Sequence, residues 1–553
     1  MAERQWDVRR QGRAEKMRRA AEALSGSRQG KIFPHERTVA LLEALLSSGD
    51  RVCQEGNNQK QADFLAKALT EVDPRRINHL HLVQSVVALP EHIEVFERGI
   101  ATRLDFCFCG PQAARLTALL HEGQLSIGAI HNYLELFGRY FLDLTPDVSL
   151  ISAHAADRQG NLYTGPNTED TPAIVEATAF RGGIVVVQVN EILDRLPRVD
   201  VPADWIDFIV ESPRPHLIEP LFTRDPAHIS EIQILMAMMA IRGIYARYGV
   251  ERLNHGIGFD TAAIELLLPT YAESLGLKGR ICRRWALNPH PTLIPAIESG
   301  FVETVHSFGS ELGMERYVAA RPDVFFTGAD GSMRSNRAFC QMAGLYACDL
   351  FIGSTLQIDL AGNSSTATKG RITGFGGAPN MGSDARGRRH PSAAWLKAGE
   401  EARRGRDLMP RGRKLVVQIA ESFRERMTPT FVERLDAWDL SDAAGLDIPP
   451  VMIYGEDVTH VLTEEGIANL LLCRDAVEVE QAIRGVAGYT EVGRKRDRRM
   501  VENLRDRGVI TRPEDLGIDP RLATRDQLAA RSIKDLVRWS GGLYRPPARF
   551  RHW

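Results

Sequence analysis

The feature that most constrains the fold is a series of local patterns that occurs twice along the 553 residues. Each time, a helical pattern is followed by a short apolar strand, a turn rich in glycine or asparagine, and a second helix. The first series covers residues 39–69 and the second covers residues 231–268. Helices that alternate with strands form α/β units around a largely parallel sheet. The sequence therefore predicts two similar α/β halves that face each other.

Further patterns predict the domain boundaries. Residues 184–189 (IVVVQV) form a nearly continuous apolar run, as a parallel strand that is buried on both faces should. A group of prolines between residues 213 and 226 separates the two halves. We predict a helical extension over residues 1–30, a first α/β domain over 31–226, a second over 227–490 and a basic extension over 491–553.

Composition excludes several classes of protein. The formal net charge is -2, so no overall field attracts nucleic acid or a membrane surface. The first residues lack the apolar core of a secretory signal, and no run of 18 apolar residues occurs. Seven cysteines, an odd and sparse number without a Cys-x-x-Cys pair, indicate reduced thiols. We therefore expect a cytoplasmic protein that binds neither nucleic acid nor membrane.

A glycine-rich stretch from residue 350 to residue 384 is the strongest candidate for a binding site. Two short strand patterns precede the run Gly374-Phe375-Gly376-Gly377. Where side chains are small, backbone N–H groups approach a ligand closely and attract negative charge, such as a phosphate or the oxygen of a thioester under attack. A flexible surface loop is the alternative. The polar side chains of the same stretch favour a site: Asn363, Asn380, Ser383 and Asp384.

Two turns that follow strands earlier in the chain are further candidates. The first contains Asn57, Asn58 and Gln59, for which ordinary turn and helix-capping chemistry is an equally good explanation. The second contains Gly256 and Gly258, in a Gly-x-Gly that does not extend to the Gly-x-Gly-x-x-Gly of dinucleotide sites. Both turns are expected beyond the carboxyl ends of strands, where open α/β sheets bind their ligands.

The familiar catalytic motifs are absent from the sequence. It contains no Gly-x-x-x-x-Gly-Lys-Ser/Thr phosphate loop, no His-Glu-x-x-His and no Gly-x-Ser-x-Gly. No group of cysteines and histidines has the spacing of a zinc site, so no metal is expected. The glycine-rich turns, amides and carboxylates that remain suit acyl chemistry on a thioester, without a metal or a redox cofactor.

Long blocks of the sequence are far more specific than any single glycine motif. They include QEGNNQKQADFLAKAL (54–69), ADRQGNLYTGPNTEDTP (156–172), RLNHGIGFDTAAIELLLPTYAESLGL (252–277), NPHPTLIPAIESGFVETVHSFGSELGM (288–314), DLFIGSTLQIDLAGNSS (349–365), GFGGAPNMGSD (374–384) and VTHVLTEEGIANLLL (458–472). In these blocks, and over nearly its whole length, the chain resembles the CoA-transferase superfamily and, within it, the α subunits of biotin-independent malonate decarboxylases.

The resemblance implies two tandem CoA-transferase-like α/β domains with an active site between them. It also implies a reaction, in which acetyl-thioester on an acyl-carrier protein and free malonate give malonyl-thioester and acetate. The implied partners are the acyl-carrier subunit and the decarboxylase subunits of the same complex. The implied cofactor is a phosphoribosyl-dephospho-CoA arm that belongs to the carrier, so none is bound covalently to this chain.

One departure from the superfamily bears on the mechanism. Many CoA transferases carry a catalytic glutamate just after a strand of the second domain, a place that we align with residues 285–288, where there is no carboxylate. We therefore expect malonate to attack the acetyl thioester directly and to form a mixed acetyl–malonyl anhydride. Such a mechanism needs donors for the developing oxyanion and a partner for malonate's second carboxylate.

The site residues follow from that mechanism. The candidates for catalytic donors are Gly256, Gly258, Gly376, Gly377 and Asn288. The candidates for substrate binding are Asn57, Asn58, Gln59, Arg283, His290 and Asn380. We expect Arg283, its neighbour Arg284, or His290 at the second carboxylate of malonate. Strand neighbours point to opposite faces, so at most one of the two arginines can face the site.

Two other functions stay open. One is a CoA transferase or acyl-CoA hydrolase that forms a covalent glutamyl thioester, with Glu298 as the nucleophile. The other is a non-catalytic scaffold that binds the carrier protein. A scaffold has no need of so many glycine-rich loops, which argues against the second.

Overall fold

A computed structural model describes residues 5–57, 59–307, 309–327, 348–383 and 414–553. Two large β-sheets form its centre, one from each half of the chain. This arrangement confirms the prediction of two α/β halves.

The first sheet has nine strands in the order β1-β9-β8-β6-β2-β3-β4-β5, with β7 paired to the side of β6. All of its pairs are parallel except β6 with β7. The strands are β1 (Ile32–Phe33), β2 (Arg51–Gln54), β3 (Leu80–Val87), β4 (Ala101–Cys109), β5 (Ser126–Ile130), β6 (Val148–Asp157), β7 (Leu162–Tyr163), β8 (Ile184–Leu193) and β9 (Phe208–Glu211). The helices are α1 (Gln5–Ala23), α2 (Thr38–Leu45), α3 (Asp63–Thr70), α4 (Glu91–Glu97), α5 (Ala113–His121), α6 (Tyr133–Leu142) and α7 (Thr171–Phe180).

The second sheet has eight strands in the order β12-β11-β10-β13-β18-β21-β22-β23, and the last two are antiparallel additions. The strands of this half are β10 (Arg252–His255), β11 (Arg284–Ala286), β12 (Thr304–His306), β13 (Leu350–Ser354), β14 (Gln357–Ile358), β15 (Ser364–Ser365), β16 (Ala367–Thr368), β17 (Arg371–Ile372), β18 (Leu415–Ile419), β19 (Phe423–Arg424), β20 (Thr428–Pro429), β21 (His460–Thr463), β22 (Gly466–Asn469) and β23 (Ile510–Thr511). Its helices are α8 (Glu231–Met239), α9 (Ala246–Tyr248), α10 (Phe259–Leu267), α11 (Ile294–Glu298), α12 (Glu315–Ala319), α13 (Ala378–Met381), α14 (Asp436–Ala444), α15 (Ala476–Val486), α16 (Glu491–Arg494), α17 (Arg498–Asp506) and α18 (Ile533–Trp539).

The two sheets repeat one topology. Six parallel strands follow in the order β4-β3-β2-β6-β8-β9 in the first and β12-β11-β10-β13-β18-β21 in the second. In each, the chain builds outward from one central strand and then returns to that strand's other side. The crevice beyond such a reversal is where open parallel sheets bind ligands. In the second sheet the reversal lies between β10 and β13.

Alternating side chains give each sheet two buried faces. Val52 of β2 belongs to one apolar core of the first half, and Cys53 beside it belongs to the core on the opposite face. Val186 and Val187 of β8 divide in the same way. Because successive side chains of a strand point to opposite faces, a nearly unbroken apolar run is what such a sheet requires. The apolar run at residues 184–189 is therefore confirmed as a buried parallel strand.

The sequence also predicts a capping box at Ser230 and Gln233 and strands over residues 280–285 and 451–454, of which the structure confirms the first and corrects the other two. Ser230 and Gln233 form the expected capping box at the start of α8. The strand expected over residues 280–285 begins only at Arg284, because Cys282 has a φ of 58° that a strand does not accommodate. Residues 451–454 form no strand. Strand β23 joins the second sheet from within the predicted basic extension, and the three boundaries between the four predicted segments remain predictions.

Aspartates at the amino edge of the sheets fix neighbouring strands. Asp147 accepts the N–H of Arg51 at 2.9 Å, and Asp349 accepts the N–H of Arg252 at 2.9 Å. Asp207 accepts the N–H of Val185 at 2.9 Å and forms an ion pair with Arg13 of α1 at 2.6 Å. Helix α1 is therefore fastened to the first sheet by charge-assisted hydrogen bonds, which are stronger than neutral ones.

Within the described residues, no helix has both the length and the apolar character needed to cross a membrane.

Replacement of Asp207 by Ala should destabilise the protein measurably. The change removes the ion pair to Arg13 and leaves the N–H of Val185 without its acceptor, a loss of about 1–3 kcal/mol. The measurement is the midpoint of thermal unfolding at a fixed scan rate. Asp194→Ala is the control, because Asp194 pairs with Arg158 in full solvent, where such pairs contribute about 0–1 kcal/mol. Equal shifts in the two variants would contradict the assignment.

Candidate active site

A cleft of about 290 Å³ lies where the two halves meet. Phe108 and Tyr133 come from the first half, and Leu221, Phe222 and Arg224 come from the segment that connects the halves. The second half supplies the other lining residues, among them Asn254, His255, Gly256, Ile257, Leu287, Asn288, His290, Phe351, Gly353, Ser354, Gly374, Phe375, Gly376, Gly377, Met381 and Met452. Residues directly after β10 and at the end of β13 are in this set, so the cleft lies at the reversal of strand order in the second sheet.

The turn at residues 373–376 is hydrogen-bonded to the first sheet although it belongs to the second half. Phe375 and Gly376 donate their N–H groups to the carbonyl of Cys107 at 2.7 and 2.9 Å, and Cys109 donates to Thr373 at 2.6 Å. Gly374 has a φ of 76°, and a Cβ there would lie 2.5 Å from the Cys107 oxygen. Only glycine allows this approach. The turn therefore forms a wall of the cleft that connects the two halves.

The structure brings both glycine turns predicted from the sequence to one cleft. Two of the N–H groups that were expected to bind an oxyanion are hydrogen-bonded to backbone carbonyls instead. Gly256 donates its N–H to Ile352 at 2.7 Å and Gly376 donates to Cys107, so the expectation that these two act as oxyanion donors is wrong. Gly377 lines the cleft, and its N–H makes no hydrogen bond to any described residue. Gly258 is not among the lining residues.

A chain of amides connects the cleft to a buried carboxylate. Asn288 donates Nδ2–H to Oε1 of Gln59 at 2.7 Å, and Gln59 donates Nε2–H to Glu311 at 2.8 Å. Thr223 donates both its N–H and its hydroxyl to the other oxygen of Glu311, at 2.9 and 2.6 Å. Burial raises the pKa of Glu311 to about 7, against the opposing effect of these hydrogen bonds. When Glu311 is ionised it only accepts hydrogen bonds, and in that form it determines which way both amides point.

The loop that carries Glu311 is held by the first half of the chain and by the C-terminal segment. Ser310 donates its N–H to the side chain of Asn167 in the first half at 2.6 Å. Arg545 donates its N–H to the carbonyl of Gly313 at 2.9 Å, and a Cβ on Gly313 would lie 2.0 Å from the Arg545 oxygen. The C-terminal segment is therefore packed directly against this loop.

A second buried carboxylate orients His290. Glu265 is 2.9 Å from Nδ1 of His290 and 3.0 Å from Nδ1 of His255, and it accepts a hydrogen bond from Thr292. Burial acts to raise the pKa of Glu265, but the two histidines outweigh this effect and lower it to about 2. Phe222 stacks on the ring of His290, with the ring centroids 5.0 Å apart. His290 therefore lines the cleft in a fixed orientation.

Several predicted residues are not brought to the cleft. Asn57 is buried, and its Oδ1 accepts the N–H groups of Gln59 and Lys60 at 3.0 and 2.7 Å, which is the turn chemistry weighed as the alternative. Arg283 lies at the amino end of β11 and pairs with Glu303 at 2.6 Å, and Arg284 pairs with Glu251 at 3.2 Å.

Other predicted residues lie away from the cleft or outside the described residues. Asn380 is fully buried outside the cleft lining, and its amide makes no hydrogen bond to a described residue. Glu298 binds Tyr317 at 2.7 Å and pairs with Arg321, away from the cleft. Asn58 and Asp384 lie outside the described residues. Among the residues that the structure describes, no group of three His, Cys, Asp or Glu side chains is placed to hold a metal.

Sequence reasoning missed two charged groups, Glu311 and Arg224. Glu311 follows β12, and a search for carboxylates after every strand of the second half, rather than after β11 alone, would have found it. Arg224 lies in the proline-rich segment, whose sequence indicates only a domain boundary. No pattern in the sequence shows that this segment lines the cleft.

The two sheets and the cleft between the halves define a CoA-transferase-like fold. An acyl-CoA transferase from Escherichia coli O157:H7 has the same fold, with a TM-score of 0.51 at 13% identity over 80% of this chain and 89% of that one. A family model described as malonate decarboxylase, alpha subunit, transporter matches residues 5–553.

More similar proteins specify the family. The acetyl-S-ACP:malonate ACP transferase of Malonomonas rubra is 60% identical over 554 residues, which cover 100% of both chains. A crystal structure of a Pseudomonas malonate decarboxylase hetero-tetramer in complex with malonate contains a chain that is 60% identical, with a TM-score of 0.93 and 100% coverage of both chains. The chain belongs to the malonate decarboxylase alpha subunit family.

The buried carboxyl of Glu311 should make stability depend on pH. Its folded pKa of about 7 lies above the unfolded value of about 4.3, so its contribution to stability is full below pH ~4 and is lost as the pH rises through 7. Glu311→Gln lacks this titration. The thermal midpoint of the variant should therefore rise relative to that of the native protein between pH 5 and pH 8. A difference that stays constant over this range would show that Glu311 does not titrate as described.

Proposed function

We propose that the chain exchanges the acid on an acyl-carrier thioester, converting acetyl-S-carrier and malonate into malonyl-S-carrier and acetate. The observation that carries this proposal is the full-length likeness, at 60% identity, to a transferase of that name. The cleft is consistent with it, because mostly apolar walls surround a few fixed polar groups. Such a site suits the end of a thioester arm and a small acid.

We propose that the exchange proceeds in two acyl transfers. A carboxylate oxygen of malonate attacks the acetyl carbonyl carbon, the C–S bond breaks, and the carrier leaves as a thiolate from a mixed acetyl–malonyl anhydride. The thiolate then attacks the malonyl carbonyl carbon, and acetate leaves. Both steps pass through a tetrahedral oxyanion, and the protein contributes by alignment and by donors to that oxygen.

Donors for the oxyanion are available in the cleft. We assign this role to the N–H groups of Gly377 and Ile257, which line the cleft and make no hydrogen bond to a described residue. Asn288 and His290 line the same cleft, with their orientations set by Gln59 and by Glu265. Loss of a single donor of this kind typically costs ~10²–10³ in kcat.

The carrier protein would supply both the thioester and its phosphoribosyl-dephospho-CoA arm, so the arm enters as part of the substrate. Other subunits would decarboxylate the malonyl group. The Pseudomonas relative is part of a hetero-tetramer, which supports an assembly of several subunits. We place the complex in the cytoplasm, as the cysteine content of the sequence suggests.

A covalent glutamyl enzyme is the second candidate, and Glu311 suits the role of nucleophile better than Glu298, which lies away from the cleft. Glu311 is the carboxylate connected to the cleft through Gln59 and Asn288. Both of its oxygens already accept hydrogen bonds and it does not line the cleft, which favours the anhydride route. Treatment with hydroxylamine during turnover, followed by mass spectrometry, should leave Glu311 unmodified. A hydroxamate on Glu311 would establish the covalent route instead.

The transfer itself is tested with the purified complex, acetylated carrier and labelled malonate. Label should appear on the carrier and an equal amount of acetate in solution. A scaffold would bind the carrier without either product, and a folded complex that gives neither would refute the proposal.

Glu311→Gln should reduce transfer about 10-fold or more while the protein stays folded. The new amide would accept from Thr223 with its oxygen and turn its NH₂ to Gln59, which reverses Gln59 and then Asn288. The measurement is kcat for transfer of labelled malonate. Glu298→Gln is the matched control, since Glu298 lies away from the cleft. Equal activity in the two variants would contradict the orienting role of Glu311.

A further inference from the structure

Arg224 stands out among the residues of the cleft because of its charge. Of the lining residues in the described part of the chain, it is the only Arg, Lys, Asp or Glu. Its guanidinium donates to the carbonyls of Leu221 and Thr223 at 2.6 and 3.3 Å and lies over the ring of Phe259 at 5.7 Å. These neighbours carry no charge that could neutralise it.

No carboxylate of the described residues forms an ion pair with Arg224. Glu311 and Glu265 raise its pKa by their charge, but burial dominates and lowers it. Both carboxylates are engaged elsewhere, Glu311 with Thr223 and Gln59, and Glu265 with His255 and His290. A partly buried guanidinium with hydrogen bonds only to carbonyls leaves a positive charge at the wall of an otherwise apolar cleft.

We propose that Arg224 binds the carboxylate of malonate that does not attack, and so makes the site select a dicarboxylic acid over acetate. This inference rests on the proposed transferase. The second carboxylate of malonate loses its hydration in the apolar cleft, and only a paired cation offsets such a loss. Arginine also presents two parallel N–H groups, which match a carboxylate.

The selection follows from the difference between the two acids. Both present one carboxylate to the acyl carbon, but only malonate carries a second one for Arg224. Acetate, the product, has nothing to hold it at that place once the thioester has reformed. Arg224 would therefore favour the entry of malonate without taking part in the bond changes themselves.

The test compares two acceptors in one assay. Acetylated carrier is mixed with labelled malonate, which reports transfer, or with labelled acetate, which reports exchange of the acetyl group. Replacement of Arg224 by Glu or Asp would reverse the charge at the cleft wall. The variants chosen are therefore Arg224→Gln, which removes the charge, and Arg224→Lys, which keeps it. In Arg224→Gln the ratio of kcat/KM for malonate to that for acetate should fall about 10- to 100-fold, because a charge-assisted hydrogen bond is lost. In Arg224→Lys, which keeps a point charge, the fall should be smaller.

Arg283→Gln is the matched control, since Arg283 pairs with Glu303 at the other edge of the sheet and should leave the ratio unchanged. An unchanged ratio in a folded Arg224→Gln protein, even with a loss of rate for both acids, overturns the inference. If Arg224→Gln does not fold, Arg224→Lys replaces it in the test. An unchanged ratio of kcat/KM for malonate to that for acetate in this variant then overturns the inference. A native complex that transfers to neither acid refutes the proposed function itself, a result distinct from the failure of Arg224 alone.

Discussion

The two hydrogen bonds that the Cys107 carbonyl accepts from Phe375 and Gly376 are the constraint on which the rest of the site depends. Strand β5 pairs with β4 only as far as Phe106, so β4 extends beyond its neighbour and leaves this carbonyl at an open edge. A turn from the other half of the chain occupies that edge. Tyr133 then packs against Gly376, and the glycine turn faces the end of β10 across the cleft. Without these bonds the cleft would lack one of its walls.

The polar groups of the cleft are oriented before any substrate arrives. Gln59 comes from the first half, and its two partners Asn288 and Glu311 come from the second, so the same amide that connects the halves also orients the cleft. Glu265 orients His290 in a similar way, through a hydrogen bond within the second half. Groups that are already in place need no reorganisation when charge develops on a substrate, which is the main source of electrostatic catalysis.

Much of the fold was predictable from the sequence, because the pattern of strand, turn and helix is local. The two halves, the buried strand β8 and the glycine turns near residues 256 and 376 all follow from residues close together in the chain. The N–H of Gly256 was misjudged because its acceptor, Ile352, belongs to a strand nearly a hundred residues later. Arg283 was misplaced because β11 begins four residues later than its pattern suggests. A strand over residues 280–285 would have placed Arg283 near its carboxyl end, where ligands bind. In the structure Arg283 lies at the amino edge of the sheet instead. The positions of Arg224 and Glu311 at the cleft depend on how the two halves pack together, and no local sequence pattern specifies that packing.

The contact between Arg545 and Gly313 has a consequence for biosynthesis. The loop with Glu311 packs against Arg545, which follows every described strand of both sheets, and β23 also comes late in the chain. Domains generally fold in order as they leave the ribosome, so the first sheet forms while the second is still being made. The cleft therefore cannot be completed until Arg545 has been synthesised, and the nascent first half must stay soluble with its partner surface uncovered until then.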